Sequence, residues 1–251
     1  CYVDTFDRNF KFDVEHISLA KKADIFMIAP ATANVIAKIA NGIADDMLTT
    51  TFLASKCKKI VSPAMNTAMF ENQITQDNIA KLKKYGIGVV EPQNGLLACG
   101  DTGAGKMPEP DFLFDVIERE IAREKDMLGK KVLVTAGATM ESLDPVRFLT
   151  NHSSGKMGFA IAKEAMLRGA EVTVVKANTT AEIPNFIKIV EVSSAKDMFD
   201  AVTALSEQQD IIVKAAAVAD YTPESYVDSK IKKKDGDLSI SLKRTMDILK
   251  Y

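Results

Sequence analysis

Short runs of β-branched and aliphatic residues, each closed by a proline or a glycine and followed by a longer helical stretch, recur along this chain. Strands separated by helices cannot pair as tight hairpins. They need crossover connections, and the outcome is a mostly parallel sheet with helices packed on it. Residues 24–29 form one buried-strand run ending at Pro30, and residues 33–40 form a helix with Val35, Ile36 and Ile39 on one face. Residues 59–62 repeat the strand pattern and end at Pro63. Residues 74–85 predict a helix stopped by Gly86, and residues 88–90 another short strand. The glycine-rich stretch 95–110 breaks the rhythm and reads as an irregular, moving lid.

A boundary falls near residue 127, after an amphipathic helix over 112–125. Gly129-Lys130-Lys131 then launches a clean strand over 132–135. The pattern restarts there with a loop over 137–151, a helix over 158–168, strands over 171–175 and 187–192, a helix over 195–207 and a strand over 210–213. Residues 245–249 look helical. The expected fold is α/β, with two tandem doubly wound, Rossmann-like domains over residues 1–127 and 128–251.

Composition narrows the function classes. A net charge of −2 with interspersed signs offers no basic face for nucleic acid. No apolar run approaches the ~20 residues that span a bilayer. Three widely spaced cysteines without a CxxC pair argue against a disulfide framework or structural zinc, and for a reducing cytoplasm. No secretory signal precedes the first strand-like segment. The chain opens at Cys1 and stops within the helix-like segment, so both ends read as cut.

Several residues could carry chemistry. His16 is one of only two histidines, and at a helix start it is a capping or packing residue or an acid–base group. Asn66, in Pro63-Ala64-Met65-Asn66, follows a strand end, where open α/β sheets bind ligands; the alternative is a helix cap. Cys99 is a thiol within the glycine-rich stretch, suited to proton donation or open to adventitious oxidation. In the second half, Asn151-His152-Ser153-Ser154-Gly155 precedes a helix, whose free N–H groups either bind an anion or are simply capped. Lys214-Ala215-Ala216-Ala217-Val218-Ala219-Asp220 follows a strand end, and its small residues let a base or ribose approach closely. Asp220 could take a ribose hydroxyl or hydrated Mg2+. Lys230-Ile231-Lys232-Lys233-Lys234 is a solvated face or a triphosphate partner. GxGxxG is missing, which argues against a dinucleotide-dependent oxidoreductase, and so is the P-loop spacing.

His16-Ile17-Ser18-Leu19, Ala29-Pro30-Ala31-Thr32-Ala33-Asn34, Gly42-Ile43-Ala44-Asp45-Asp46, Pro63-Ala64-Met65-Asn66 and Ala98-Cys99-Gly100 occur in order over residues 13–111. Together they resemble the flavin-dependent cysteine decarboxylases. The resemblance implies that FMN supplies the electron sink for CO2 loss. His16 would act as acid/base, Asn66 would hold the departing carboxylate, and Cys99 would close over the site and protonate the product enethiolate. Pro30, Ala31, Thr32, Ala33 and Asn34 would face the flavin. The family is trimeric, so a homo-oligomer is implied. The N-terminal strand and the serine/glycine loop for the FMN phosphate find no match here, and Phe70 stands where many members have Trp.

Over residues 129–249 the motifs Gly137-Ala138-Thr139-Met140-Glu141, Asp144-Pro145-Val146-Arg147, Asn151 through Gly158, Ala216 through Tyr221 and Lys230-Ile231-Lys232-Lys233 resemble phosphopantothenoylcysteine synthetase. That resemblance implies activation of 4′-phosphopantothenate by CTP as an acyl-cytidylate, followed by attack of the cysteine amine, with Mg2+ accompanying the nucleotide and no certain metal ligand. Asn151 would hold the acyl-cytidylate carbonyl, and Lys230 would favour the attack or steady phosphate charge. Ala215, Ala216, Ala217, Asp220, Lys230, Met246, Asp247, Ile248 and Leu249 would line the CTP site. The ligase units would be dimeric. A fusion of the two activities resembles the bifunctional enzymes of coenzyme A biosynthesis, acting on small molecules, with no nucleic-acid or membrane partner. The rival class is a flavin-binding regulatory protein of the same fold, which predicts loss of the cysteine lid or an acidic tail; neither is seen.

Overall fold

Parallel pairing dominates the computed structural model, which describes residues 15–97, 100–233 and 237–250. The chain splits into two compact units, Cys1–Ile121 and Ala122–Tyr251. The first runs α1 (Glu15–Lys22), β1 (Ile25–Ala31), α2 (Ala33–Ala40), α3 (Met47–Ala54), β2 (Lys58–Pro63), α4 (Thr67–Glu71), α5 (Gln73–Lys84), β3 (Gly88–Val89), β4 (Gln93–Leu96), β5 (Thr102–Lys106) and α6 (Pro110–Ile121). Strands β1, β2 and β3 form a parallel sheet in that order.

Alternation along β1 and β2 divides the side chains between two faces. Ile28 and Val61 pack with Ile36 of α2 and with Ile79 and Leu82 of α5. Met27 and Ile60 pack on the other face with Leu113 and Val116 of α6. The helix ends follow local chemistry. Thr32 caps α2, Asp46 caps α3 by accepting from the Thr49 amide, and α5 closes at Tyr85 before Gly86 turns left-handed.

Two expectations for this unit need correction. Strand β1 continues through Pro30 to Ala31, past a register shift that accommodates the proline, which has no N–H for the ladder. Within residues 95–110 the chain also forms regular structure, since β4 and β5 pair as an antiparallel hairpin. Gly103 and Gly105 serve close packing rather than irregularity.

The second unit runs β6 (Lys131–Ala136), β7 (Met140–Ser142), β8 (Phe148–Thr150), α7 (Lys156–Leu167), β9 (Glu171–Lys176), β10 (Lys188–Glu191), α8 (Ala195–Ser206), β11 (Ile211–Lys214), β12 (Tyr221–Pro223) and β13 (Leu242–Arg244). Four strands form a parallel sheet in the order β10-β9-β6-β11. Val132, Val134 and Ala136 face α7, packing with Phe159, Ala162 and Met166. Leu133 faces the other way, with Met198 and Val202 of α8. Gly158 sits where a Cβ would lie 2.6 Å from the Ala136 Cβ, so glycine lets α7 settle onto β6.

Leu133 is fully buried in the central strand. Truncation to Ala is expected to cost about 3 kcal/mol, from lost transfer energy plus the cavity left behind. Chemical denaturation would show this as a lower midpoint at unchanged slope, and a loss below about 1 kcal/mol would contradict the packing described.

Two further corrections concern this unit. The loop expected over 137–151 contains the antiparallel pair β7–β8. Residues 245–249 are not helical; they are irregular chain ending in a turn at Ile248 and Leu249, after β13 has paired with β12. The Asp247 side chain accepts from the Leu249 amide at 2.9 Å and fixes that turn instead of a helix.

Candidate functional site

In the first unit the carboxyl ends of β1 and β2 lie side by side, with Ala31 opposite Pro63. Of the residues expected near a flavin, Pro30, Thr32 and Asn34 are exposed and Ala33 is half-buried. Ala31 is fully buried, and its carbonyl accepts from the Ala64 amide at 3.0 Å, so it belongs to the frame.

Asn66 follows directly. Its Oδ1 accepts from the Ala68 amide at 2.9 Å, and its Nδ2 donates to Asp101 Oδ2 at 3.2 Å. The β4–β5 hairpin lies across this loop, with the Met65 amide donating to the Gly105 carbonyl at 3.1 Å. A Cβ on Gly103 would stand 2.4 Å from Thr67 Oγ1, and one on Gly105 would stand 2.1 Å from the Met65 carbonyl oxygen. The stretch expected as a lid therefore presses directly on the Asn66 loop. Cys99 lies outside the described residues. Asp101 has no local signature that singles it out; only its place in the quoted glycine-rich stretch could have drawn attention to it.

His16 lies on α1, which packs against α3. Its Nδ1 is buried without a partner, as are Ser62 Oγ at the end of β2 and Thr67 Oγ1 beside Asn66. Buried polar atoms left unpaired cost about 1–3 kcal/mol each, so the Ser62 and Thr67 hydroxyls fit a polar, heteroatom-rich group at the carboxyl end of the sheet.

In the second unit the strand order reverses beside β6: β9 and β10 lie on one side of it and β11 on the other. Open sheets bind ligands in the crevice such a reversal opens at the strands' carboxyl ends. Asn151 is brought there, its Nδ2 donating to the Ala217 carbonyl at 3.4 Å. The backbone of residues 215–219 is held by two buried threonines. Thr135 Oγ1 accepts from the Ala215 and Ala216 amides at 3.2 Å each, and Thr139 Oγ1 accepts from the Ala219 amide at 2.9 Å. His152 is exposed beside Asn151.

Asp220, Met246, Asp247, Ile248 and Leu249 come together around a cavity of about 610 Å3, with Lys214 and Arg244 on its wall. Ala215, Ala216 and Ala217 do not line it; they form the crevice edge beside Asn151. Lys230 is exposed and also stands apart from the cavity. The next residue, Ile231, is gripped at both backbone groups. Its amide donates to Asp144 Oδ2 at 3.0 Å, and its carbonyl accepts from Arg147 Nη2 at 2.9 Å. Burial works to raise the Asp144 carboxyl. Bonds from the Ile231, Val146 and Arg147 amides, with the Arg147 charge, overcome that and hold it below the usual carboxylate range.

Among the described residues no cluster of three or more His, Cys, Asp or Glu is placed to hold a metal ion, and no helix is long and apolar enough to cross a membrane.

Comparison with known proteins places both halves. Residues 1–122 match the Flavoprotein family, and residues 127–251 match the DNA/pantothenate metabolism flavoprotein C-terminal domain. The coenzyme A biosynthesis bifunctional protein CoaBC of Bacillus subtilis (strain 168) is 45% identical over 252 residues, covering 99% of this chain and 62% of the relative. That of Vibrio vulnificus (strain YJ016) is 44% identical over 236 residues, covering 93% and 59%. A crystal structure of the C-terminal domain of a CoaBC protein matches with 46% identity and a TM-score of 0.43, covering 49% of this chain and 57% of that one. The chain belongs to the family of bifunctional coenzyme A biosynthesis proteins, and it spans about three fifths of the length of those two relatives.

Proposed function

We propose that the chain carries two consecutive steps of coenzyme A biosynthesis on two tandem doubly wound domains, with residues 1–127 forming the decarboxylase and residues 128–251 the ligase. The ligase joins 4′-phosphopantothenate to cysteine with CTP, through an acyl-cytidylate. The decarboxylase converts 4′-phosphopantothenoylcysteine to 4′-phosphopantetheine. The single observation that carries this reading is the seat of Asn151 against Ala217 where the second sheet reverses its strand order. There an uncharged amide N–H can reach an acyl carbonyl without repelling its developing negative charge.

CTP would occupy the cavity shared by Asp220 and residues 246–249. Mg2+ would arrive on the triphosphate, and Lys230, which stands apart from that cavity, would favour the attack of the cysteine amine. In the first domain, FMN supplies the electron sink that loss of CO2 requires. Pro30, Thr32 and Asn34 would bind it at the sheet's carboxyl end. Ser62 and Thr67 would satisfy their unpaired hydroxyls there, Asn66 would hold the substrate carboxylate, and His16 and Cys99 would move protons. The protein would act in the cytoplasm as a homo-oligomer, trimeric through the decarboxylase and dimeric through the ligase.

The test separates the halves. The chain is incubated with 4′-phosphopantothenate, cysteine, CTP, Mg2+ and FMN, and pyrophosphate and CO2 are followed independently. Pyrophosphate release should require CTP and 4′-phosphopantothenate, and CO2 release should require FMN. Absence of the first sinks the ligase reading. Failure to release CO2 from supplied 4′-phosphopantothenoylcysteine sinks the decarboxylase reading.

A further inference from the structure

The lysine run at 230–233 is exposed, belongs to no helix or strand, and lies far along the chain from the crevice residues at 135–151. A side chain that must meet developing charge cannot be left to wander, because catalytic groups act only when held within a fraction of an ångström. Two bonds described above supply the hold. The Asp144 carboxylate and the Arg147 guanidinium close on the amide and the carbonyl of Ile231, from 87 and 84 residues away. The same loop takes a second grip four residues earlier, where the Val227 amide donates to the Leu143 carbonyl at 3.1 Å.

The two oxygens of Asp144 do different work. Oδ1 accepts from the Val146 and Arg147 amides at 2.8 Å each and shapes its own turn. Oδ2 alone reaches across to Ile231. Asp144 is itself 2% exposed, in a position where an acid would remain only with its bonds made.

We propose that Asp144 is a positioning residue for the ligation step, fixing the backbone beside Lys230 by holding the amide of its neighbour. The proposal rests on the ligase reading above. It assigns the Asp144 side chain a task apart from substrate contact: its local turn is one function, its long-range bond another, and only the second bears on Lys230.

Asp144→Asn separates the two. The amide keeps an oxygen for Val146 and Arg147 and turns an NH2 group toward the Ile231 N–H, donor against donor. Hydrogen exchange of the Ile231 amide should then quicken on the order of tenfold or more, the size of one lost buried hydrogen bond. The Val227 amide, bonded to Leu143, should keep its protection and serves as the internal reference. In CTP-dependent ligation kcat should fall on the order of tenfold, with KM for CTP within about twofold of wild type, since the nucleotide cavity is untouched. Ile231→Pro removes the same donor while leaving Asp144 and its turn intact, and it should reproduce the loss of kcat.

Unchanged Ile231 protection in Asp144→Asn overturns the proposal. So does fast exchange at Ile231 with undiminished kcat, or a loss appearing in KM alone. A wild-type chain that releases no pyrophosphate, yet shows the Ile231 exchange difference, marks failure of the ligase reading and takes the positioning role with it; the backbone hold itself then stands as architecture.

Discussion

Replacing Asn151 by Asp is expected to slow CTP-dependent ligation by a factor of about 10²–10³, the cost of losing one aimed donor at a site of developing negative charge. The substitution is nearly isosteric, so the shape of the crevice persists. What changes is the group facing Ala217 and the substrate: an N–H donor becomes an anionic oxygen, which repels both the Ala217 carbonyl and an acyl oxygen gaining charge. Asn151 is exposed and its one bond to Ala217 is long, so folding stability should move by no more than about 0.5 kcal/mol. Single-turnover formation of 4′-phosphopantothenoylcysteine, measured beside a thermal melt, reads both quantities. Ligation at the wild-type rate would remove Asn151 from the reaction. A loss of rate that merely tracks unfolding would reduce it to a structural residue.

Gly105→Ala should be nearly as damaging in the first unit, for a purely geometric reason. Gly105 has φ +135, which L side chains avoid, and the added methyl carbon would lie 2.1 Å from the Met65 carbonyl oxygen. The obstacle is backbone and cannot rotate aside, so β5 and the Asn66 loop must part. A loss of at least about 3 kcal/mol is expected, combining steric displacement with backbone strain. CO2 release should collapse even in chains that remain folded, because Asn66 travels with the displaced loop. Gly86→Ala is the control: φ is +77 there, but nothing lies within 4 Å of the added carbon. It should cost only about 1 kcal/mol and leave decarboxylation intact. Equal effects of the two substitutions would show that the hairpin's seat on residues 65–67 is unimportant.

These two residues mark how far the sequence could be read. Asn151 was legible because its motif is local: a strand, a loop and a helix start within one continuous stretch. The core strands were legible for the same reason, since a run such as Val132-Leu133-Val134 declares itself by residue type alone. Gly105 was legible only as a glycine. Local propensity makes a glycine-rich stretch look irregular, whereas here Gly103 and Gly105 are required by Thr67 and Met65, almost forty residues away in the chain. The β12–β13 pairing was missed because the exposed residues 242–244 bury neither face and show no alternation to detect. Asp144 was visible as part of a motif, but its partner Ile231 lies 87 residues on, and no periodicity links such positions. The same holds for Asp101 and Asn66, which meet only because the hairpin folds back. Residue types told what chemistry was present; long-range contacts decide which groups meet.

The division of β6 between two faces bears on how changes in this protein compensate one another. Val134 and Leu133 are neighbours in the chain, yet one belongs with Phe159 and Ala162 and the other with Met198 and Val202. Their side chains share no packing partner, so truncations at the two should add with little interaction energy, while Val134 and Ala162 should couple. A second-site suppressor of a defect at Phe159 is therefore to be sought at Val134 or Val172 rather than at the adjoining Leu133. Each face of the sheet can drift in sequence on its own terms, with the shared strand as the one element that must satisfy both.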